Sequence, residues 1–247
     1  RHLQKAAAQA PQAGALLHAG KSMSFAELVD DSLDLASQLK RHPGPIIEAG
    51  SSLHLARHAY ACSFQNRPFF PVDRGNTLPA IQQPLTDVAL IIATSGSEGK
   101  PRAVLLGNEQ LDAAAANSNT SLPLNPGDLW LNCLPLYHIG GQSILWRCAR
   151  AGAAVLLHDG FVADRVATDL AAQPITHISL VPAMLARLLD LGTKPPASLR
   201  VALIGGAALS RTLYNRATAA GWPLYPSYGM SETAAQFATF APADGAW

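Results

Sequence analysis

Charge is what this sequence has least of. Charged residues make up 14% of the 247, against roughly a quarter in an average soluble domain. The formal net charge is +1, from 18 basic and 17 acidic residues, and no basic run exceeds a pair. That balance gives no electrostatic footprint for nucleic acid or an anionic membrane surface. Cysteine is also scarce. Cys62, Cys133 and Cys148 are scattered without a CxxC, and an odd count argues against a disulfide framework. Buried free thiols in a reducing compartment are expected, with the cytoplasm as the location. No uninterrupted apolar run approaches the length of a membrane span. The opening RHLQKAAAQAPQAG has no apolar core of the signal-peptide kind.

What the chain does have is apolar bulk. Hydrophobic residues account for 49%, and the length suffices for one large domain or two small ones with a closed core. Ser24 and Glu27 form a capping-box pattern, and Phe25, Leu28, Leu35, Ala36 and Leu39 recur at helical spacing after it. His42-Pro43-Gly44-Pro45 predicts the end of that helix. Strands are predicted at 46–49 and 69–72, with a helix over 52–65 between them. From residue 87 the pattern becomes regular. Apolar runs at 87–94, 129–134, 153–158, 176–181 and 200–205 are strand candidates, alternating with helical stretches near 108–118, 141–151, 162–173, 182–191 and 209–220. This order predicts an α/β, doubly wound fold of mostly parallel strands covered by helices on both faces. The polar stretch 74–86, with two prolines, reads as a linker, so 1–86 and 87–247 are expected as subregions of one domain.

In such folds ligands gather at the carboxyl ends of strands, and three hydroxyl-rich stretches fall there. The first is IIATSGSEGKPR (91–102). Thr94, Ser95 and Ser97 supply hydroxyls, Gly96 and Gly99 let backbone N–H groups approach an anion, and Lys100 and Arg102 add positive charge. Its spacing is not that of a Walker A loop. Taken alone it fits a surface Gly/Ser turn as well as a phosphate loop. The second stretch is LPLYHIGGQS (134–143), where a strand ends on Tyr137, His138 and a glycine pair. The third is YPSYGMSET (225–233), with Tyr228, Gly229, Ser231, Glu232 and Thr233. Together they supply phosphate donors, a carboxylate suited to Mg²⁺ and a flat aromatic for a base, the parts of a nucleotide site.

With these motifs in order, the chain resembles the N-terminal domain of the adenylate-forming (AMP-binding) superfamily of acyl-CoA synthetases, peptide-synthetase adenylation domains and luciferases. TSGSEGKPRAV is similar to its phosphate loop, LPLYHIGG to its His-bearing gate, YGMSET to its adenine and magnesium motif, and ALIGGAALS (202–210) to the strand and turn beside the adenine. The combination of PLYHIGG, THISLVPAML and IGGAALS most resembles the o-succinylbenzoate-CoA ligase subfamily. The resemblance implies that Thr94, Ser95, Gly96, Ser97, Gly99, Lys100 and Arg102 hold the ATP phosphates. It implies that Tyr228 and Gly229 flank the adenine, with Gly205, Gly206 and Ala207 lining the adenine and acyl walls. Ser231 would bond the α-phosphate, Thr233 would be among the nucleotide-binding residues, Glu232 would ligate Mg²⁺, and His138 would gate or orient the carboxylate at the acyl pocket. The implied reaction activates a small carboxylic acid with ATP and passes the acyl group to coenzyme A. A carrier-protein thiol is the alternative acceptor, and a degenerate adenylate-binding module without catalysis is the alternative from another class. Many members of the superfamily are dimers, so a homodimer is within the expectation.

The sequence departs from the family pattern. Glu98 stands where the family has Thr, Arg102 where it has Lys, and Ala103 where it has Gly. A misplaced unit charge ~4 Å from a phosphate costs on the order of a few kcal/mol, so Glu98 must turn outward or pair with Lys100 or Arg102. The family's ribose-binding stretch, hinge and C-terminal lid with its lysine are not found after Thr233. The expectation is therefore a truncated N-terminal domain that adenylates slowly or not at all by itself. Four further features bear on function. His54-Leu-Ala-Arg-His58 has metal-clamp spacing but lacks the Glu of HExxH and reads as a solvated face, as do Asp30, Asp31 and Asp34. Tyr137 is expected on the pocket wall. Arg147 is expected at the surface, the alternative being contact with a second substrate carboxylate.

Overall fold

Ser24 caps its helix as the sequence predicts. Its Oγ accepts from the Glu27 N–H at 3.2 Å while its own N–H donates to Glu27 Oε2 at 2.7 Å, closing a capping box. The computed structural model describes residues 1–39, 44–75, 77–94 and 101–241; His42 and Pro43 of the predicted helix stop lie outside them. The first half contains α1 (His2–Gln9), β1 (Gly14–His18), β2 (Lys21–Ser24), α2 (Phe25–Gln38), β3 (Ile46–Glu48), α3 (Ser52–Phe64), β4 (Phe69–Pro71), β5 (Val88–Thr94) and β6 (Arg102–Gly107). Next come α4 (Asn108–Ser121), β7 (Leu129–Asn132), α5 (Ile139–Ala151), β8 (Ala154–Leu157), α6 (Ala163–Ala172) and β9 (His177–Leu180). The last elements are α7 (Pro182–Asp190), β10 (Val201–Ile204), α8 (Arg211–Ala219), β11 (Leu224–Met230), a 3-10 turn (Ser231–Thr233) and β12 (Ala235–Thr239).

Two sheets result. The larger has eight strands in the order β12-β11-β10-β9-β7-β8-β1-β2, and the smaller has four, β3-β4-β5-β6. Interior strands of the large sheet run parallel, while β2 and β12 close its edges antiparallel. Successive side chains in its strands enter different cores. Trp130, Val155, Leu157, Val201 and Leu203 pack in the cluster that also takes Phe25, Leu90 and Phe69. Leu129, Leu131, Leu156, Ala202 and Ile204 pack on the opposite face with Val166, Leu185 and Trp222. Burial on both faces is why these strands read as continuous apolar runs rather than alternating ones.

Four findings differ from the expectation. Hairpins β1–β2, β5–β6 and β11–β12 add antiparallel pairs the periodicity did not reveal. The four-stranded sheet joins β3 and β4 to β5 and β6, so it crosses the division expected at 86/87. The stretch 74–86 is more than a linker, because Ile81 and Leu85 pack on Phe70, Val88 and Ile91 and cover the outer face of the small sheet. Asp30 and Asp34 are exposed as expected, but Asp31 accepts from Arg57 Nε at 2.7 Å and ties α2 to α3. The three cysteines are buried and free. Desolvation pushes the Cys62 and Cys133 thiols up to about 12, so they are inert at neutral pH. Among the described residues no helix is long and apolar enough to cross a membrane.

Candidate nucleotide and acyl site

The turn that carries His138 is fixed by side chains on either side of it. Asn132, fully buried at the end of β7, donates from Nδ2 to the Gly141 carbonyl at 3.0 Å and accepts from the Leu134 N–H at 3.2 Å. Gln142 donates from Nε2 to the Leu136 carbonyl at 2.7 Å. Gly141 has to be glycine, since a Cβ there would stand 2.4 Å from the Pro135 carbonyl oxygen. His138 caps α5, and its carbonyl accepts from the Gly141 and Gln142 N–H groups. The residue is exposed, yet its ring is partly desolvated, which lowers the imidazole pKa against the opposing pull of Asp73. Tyr137 meets the His138 ring edge-on at 4.7 Å. It sits beside Asp73 and does not line the cleft, contrary to expectation.

The second wall comes from β10 and β11. Ser227 Oγ donates to the Ile204 carbonyl at 3.0 Å, and a Cβ on Gly205 would fall 2.7 Å from that oxygen. Gly206 follows with φ +78, a conformation glycine adopts without strain. Both glycines line the cleft; Ala207 is exposed and does not. Gly229 lies under β12 so closely that a Cβ would stand 2.3 Å from the Ala235 carbonyl oxygen. Tyr228 is 59% exposed, supported edge-on by Phe237 at 5.4 Å. Ser231 lines the cleft and Glu232, next on the 3-10 turn, is exposed. Thr233 pins that turn through hydrogen bonds with the backbone of Met230 and Ala235. Ala234 and Ala235 close it with φ of 54 and 92, which is stored backbone strain.

Thr94 and Arg102 face each other across the β5–β6 hairpin, with the expected phosphate loop between them. Ser95, Gly96, Ser97, Gly99 and Lys100, with Glu98, lie outside the described residues. β6 packs against the 3-10 turn, so the strand leaving the phosphate loop is brought to the Ser231–Glu232 segment.

Between these walls is a cleft of about 540 Å³, reached by His138, Gly205, Ser231, Met230 and, at its base, Arg147. Arg147 is not the surface residue expected. It is 2% exposed, donates from Nη2 to Gln236 Oε1 at 3.1 Å and lies against the Trp130 ring. Its Nε has no hydrogen-bond partner, and among the described residues no carboxylate pairs with it. Burial lowers its pKa to about 10, so it remains cationic at neutral pH. A buried charge without a counter-ion is costly. A cleft built around one is shaped for an anionic group.

Sequence reasoning missed Asn132, Gln142, Gln236 and Asp73. They act by holding backbone or neighbouring side chains, and no motif or periodicity marks such residues.

Fold and cleft together define an α/β domain with two sheets among the described residues and a cleft at its strand ends. The family model described as "AMP-binding enzyme" matches residues 46–247, and the chain belongs to that family. Among its relatives is the 2-succinylbenzoate–CoA ligase of Staphylococcus epidermidis, 40% identical over 158 residues, which are 64% of this chain and 33% of that one. Among solved structures, o-succinylbenzoate coenzyme A synthetase (MenE) from Bacillus subtilis in complex with ATP and magnesium ion superimposes with a TM-score of 0.83 at 25% identity, covering 99% of this chain and 62% of that one. The same enzyme in complex with the acyl-adenylate intermediate OSB-AMP gives a TM-score of 0.83 at 25% identity, covering 98% and 77%. The chain thus spans only part of the length of these relatives.

Proposed function

We propose that this chain is the nucleotide- and acyl-binding part of an acid–CoA ligase whose substrate is an aromatic acid with a second carboxylate, as in succinylbenzoate. The observation that carries the reading is Arg147, a buried guanidinium lining the cleft with no carboxylate among the described residues to meet it. The Staphylococcus and Bacillus relatives, named for succinylbenzoate, support it.

In the reaction, a carboxylate oxygen of the acid attacks the α-phosphorus of ATP and pyrophosphate leaves. The thiol of coenzyme A then attacks the acyl carbon and AMP leaves. No protein nucleophile is needed, so positioning and charge stabilisation do the catalysis. His138 orients the reacting carboxylate at the cleft mouth and, with its lowered pKa, does so as a neutral imidazole. Arg147 takes the distal carboxylate in a charge-assisted pair. Ser231 bonds the α-phosphate, Tyr228 stacks on the adenine, and Gly205 and Gly206 allow its close approach. Thr94 and Arg102 hold the ends of the phosphate loop, whose Ser95, Gly96, Ser97, Gly99 and Lys100 take the β- and γ-phosphates. The exposed Glu232 carboxylate, on the turn against which β6 packs, fits a hard cation shared with phosphate. An Mg²⁺ held there by Glu232 would neutralise phosphate charge. Transfer to coenzyme A draws on a lid domain such as the longer relatives have room for.

The test is calorimetric titration of the chain with two non-hydrolysable acyl-sulfamoyl adenosines, one 2-succinylbenzoyl and one benzoyl. The diacid analogue should bind about 10–150-fold tighter, the worth of a hydrogen bond to a charged group, and Arg147→Met should erase the difference. Equal binding of the two would remove the diacid assignment. Binding of neither would leave a degenerate module.

A further inference from the structure

The HLARH stretch is only in part the solvated face expected, since His54 is half-exposed and His58 is buried. Glu48 closes β3, and α3 begins four residues later with Ser51 Oγ accepting from the His54 N–H at 3.3 Å. One turn apart on that helix, the His54 and His58 rings lie 4.1 Å from each other. Glu48 stands against both. Its Oε2 is 3.0 Å from His54 Nε2, and its Oε1 is 3.8 Å from His58 Nε2. The three donor atoms lie within 4.8 Å of one another. Ligand atoms of a tetrahedral zinc site stand about 3.3 Å apart, given Zn–N and Zn–O bonds near 2.0–2.1 Å, so donor-atom shifts of about 1.5 Å or less would close the set.

Two details point to a cation at the centre. His58 Nδ1 is 2.9 Å from the His54 carbonyl oxygen, which can only accept, so Nδ1 carries a proton. That leaves Nε2 as the ring atom open to a metal, and it faces the Glu48 carboxylate oxygen at 3.8 Å. A backbone carbonyl holding the far nitrogen is also the usual support of a metal-bound imidazole. Beneath the cluster, Gly50 leaves room that a side chain would fill, since a Cβ there would come 2.8 Å from His54 Cδ2. The side chains of His54, Glu48 and His58 are 40%, 32% and 11% exposed, so an ion has access from solvent. Among the described residues no other three such groups converge as closely.

We infer that Glu48, His54 and His58 form a binding site for Zn²⁺, separate from the nucleotide cleft. Two imidazoles and one carboxylate suit zinc and its transition-metal neighbours, whereas Mg²⁺ and Ca²⁺ take oxygen. Water fills the fourth position. With Leu55 in place of the Glu of HExxH there is no general base beside the ion, so the site is a brace. It ties the end of β3 to the first two turns of α3.

The experiment is calorimetric titration of the chelator-treated chain with Zn²⁺, alongside a thermal melt. One ion per chain should bind with a Kd near or below about 1 µM and raise the melting midpoint. Millimolar Mg²⁺ should not displace it, and Co²⁺ in its place should give the intense visible bands of a tetrahedral site. His54→Ala and Glu48→Gln, both at partly exposed positions and checked for folding by circular dichroism, should each weaken binding beyond the roughly 10–100-fold that loss of a supporting outer partner costs. Absence of binding at about 0.1 mM Zn²⁺, or binding undiminished in either folded variant, would overturn the site.

Discussion

The Arg147 guanidinium carbon lies 5.6 Å from the centre of the Trp130 ring. Among the described residues this cation–π contact and one bond to Gln236 are what hold the charge. Neither offsets its burial in full. Arg147→Met should therefore leave stability to urea unchanged or raised, by up to about 1–4 kcal/mol, as when buried ionic groups are replaced by apolar ones of similar volume. The same variant should lose its preference for the diacid analogue. Lost stability in the variant would show that the charge is satisfied within the protein, and the argument for an anionic ligand would go with it.

Adjacent glycines of the gate turn should respond in opposite ways. Gly141→Ala drives a methyl into the Pro135 carbonyl, which is backbone and cannot yield, so about 1–3 kcal/mol should be lost on chemical denaturation. Binding of acyl-sulfamoyl adenosine should weaken as His138 shifts. At Gly140 the nearest neighbour of an added Cβ is Leu134 Cδ1 at 3.3 Å, a flexible tip. Gly140→Ala should be neutral or gain up to about 1 kcal/mol from helix propensity.

His177 is fully buried beside Trp130 and Thr176, and burial lowers its pKa from 6.5 to about 4. Between those values the unfolded chain binds a proton that the folded one refuses. The stability contributed by the neutral ring is complete above pH 6.5 and is lost as pH falls toward 4, by on the order of 3 kcal/mol. Urea melts at pH 7 and pH 4.5 should show the loss. In His177→Gln the fall between the two should be smaller.

Ala235 holds φ of 92 in the turn that follows Ser231 and Glu232. Ala235→Gly should relieve strain of about 1–3 kcal/mol against about 0.4–1 kcal/mol of added unfolded-state entropy. A net gain near 1 kcal/mol in stability is expected. If the strain serves to hold the turn rigid, nucleotide affinity should fall in the same variant, which calorimetry would detect.

The parallel core was legible because its strands are buried on both faces, so VALIIAT and VALI announce themselves as apolar runs bounded by turns. Among the hairpin strands, β1, β2, β6 and β12 were not. β6 follows directly on the glycine-rich loop, and its RAVLLG carries burial at Leu106 alone, too little to separate it from the helix after it. β1 begins with an exposed glycine and ends on a histidine, and its partner lies across most of the chain. In the site, His138, Gly205 and Ser231 were found through motifs and lie on one cleft. Arg147 resisted because its burial is decided by α5, β12 and Trp130 meeting around it, a tertiary fact that local spacing does not encode.

The pairing of Leu16 with Val155 sets a constraint in time. At about 5–20 residues per second, β1 leaves the ribosome on the order of ten seconds before β8 exists to receive it. Through that interval one edge of β1 is sheltered by its immediate hairpin with β2, while the other stays open. The order of synthesis therefore makes closure of the large sheet a late event.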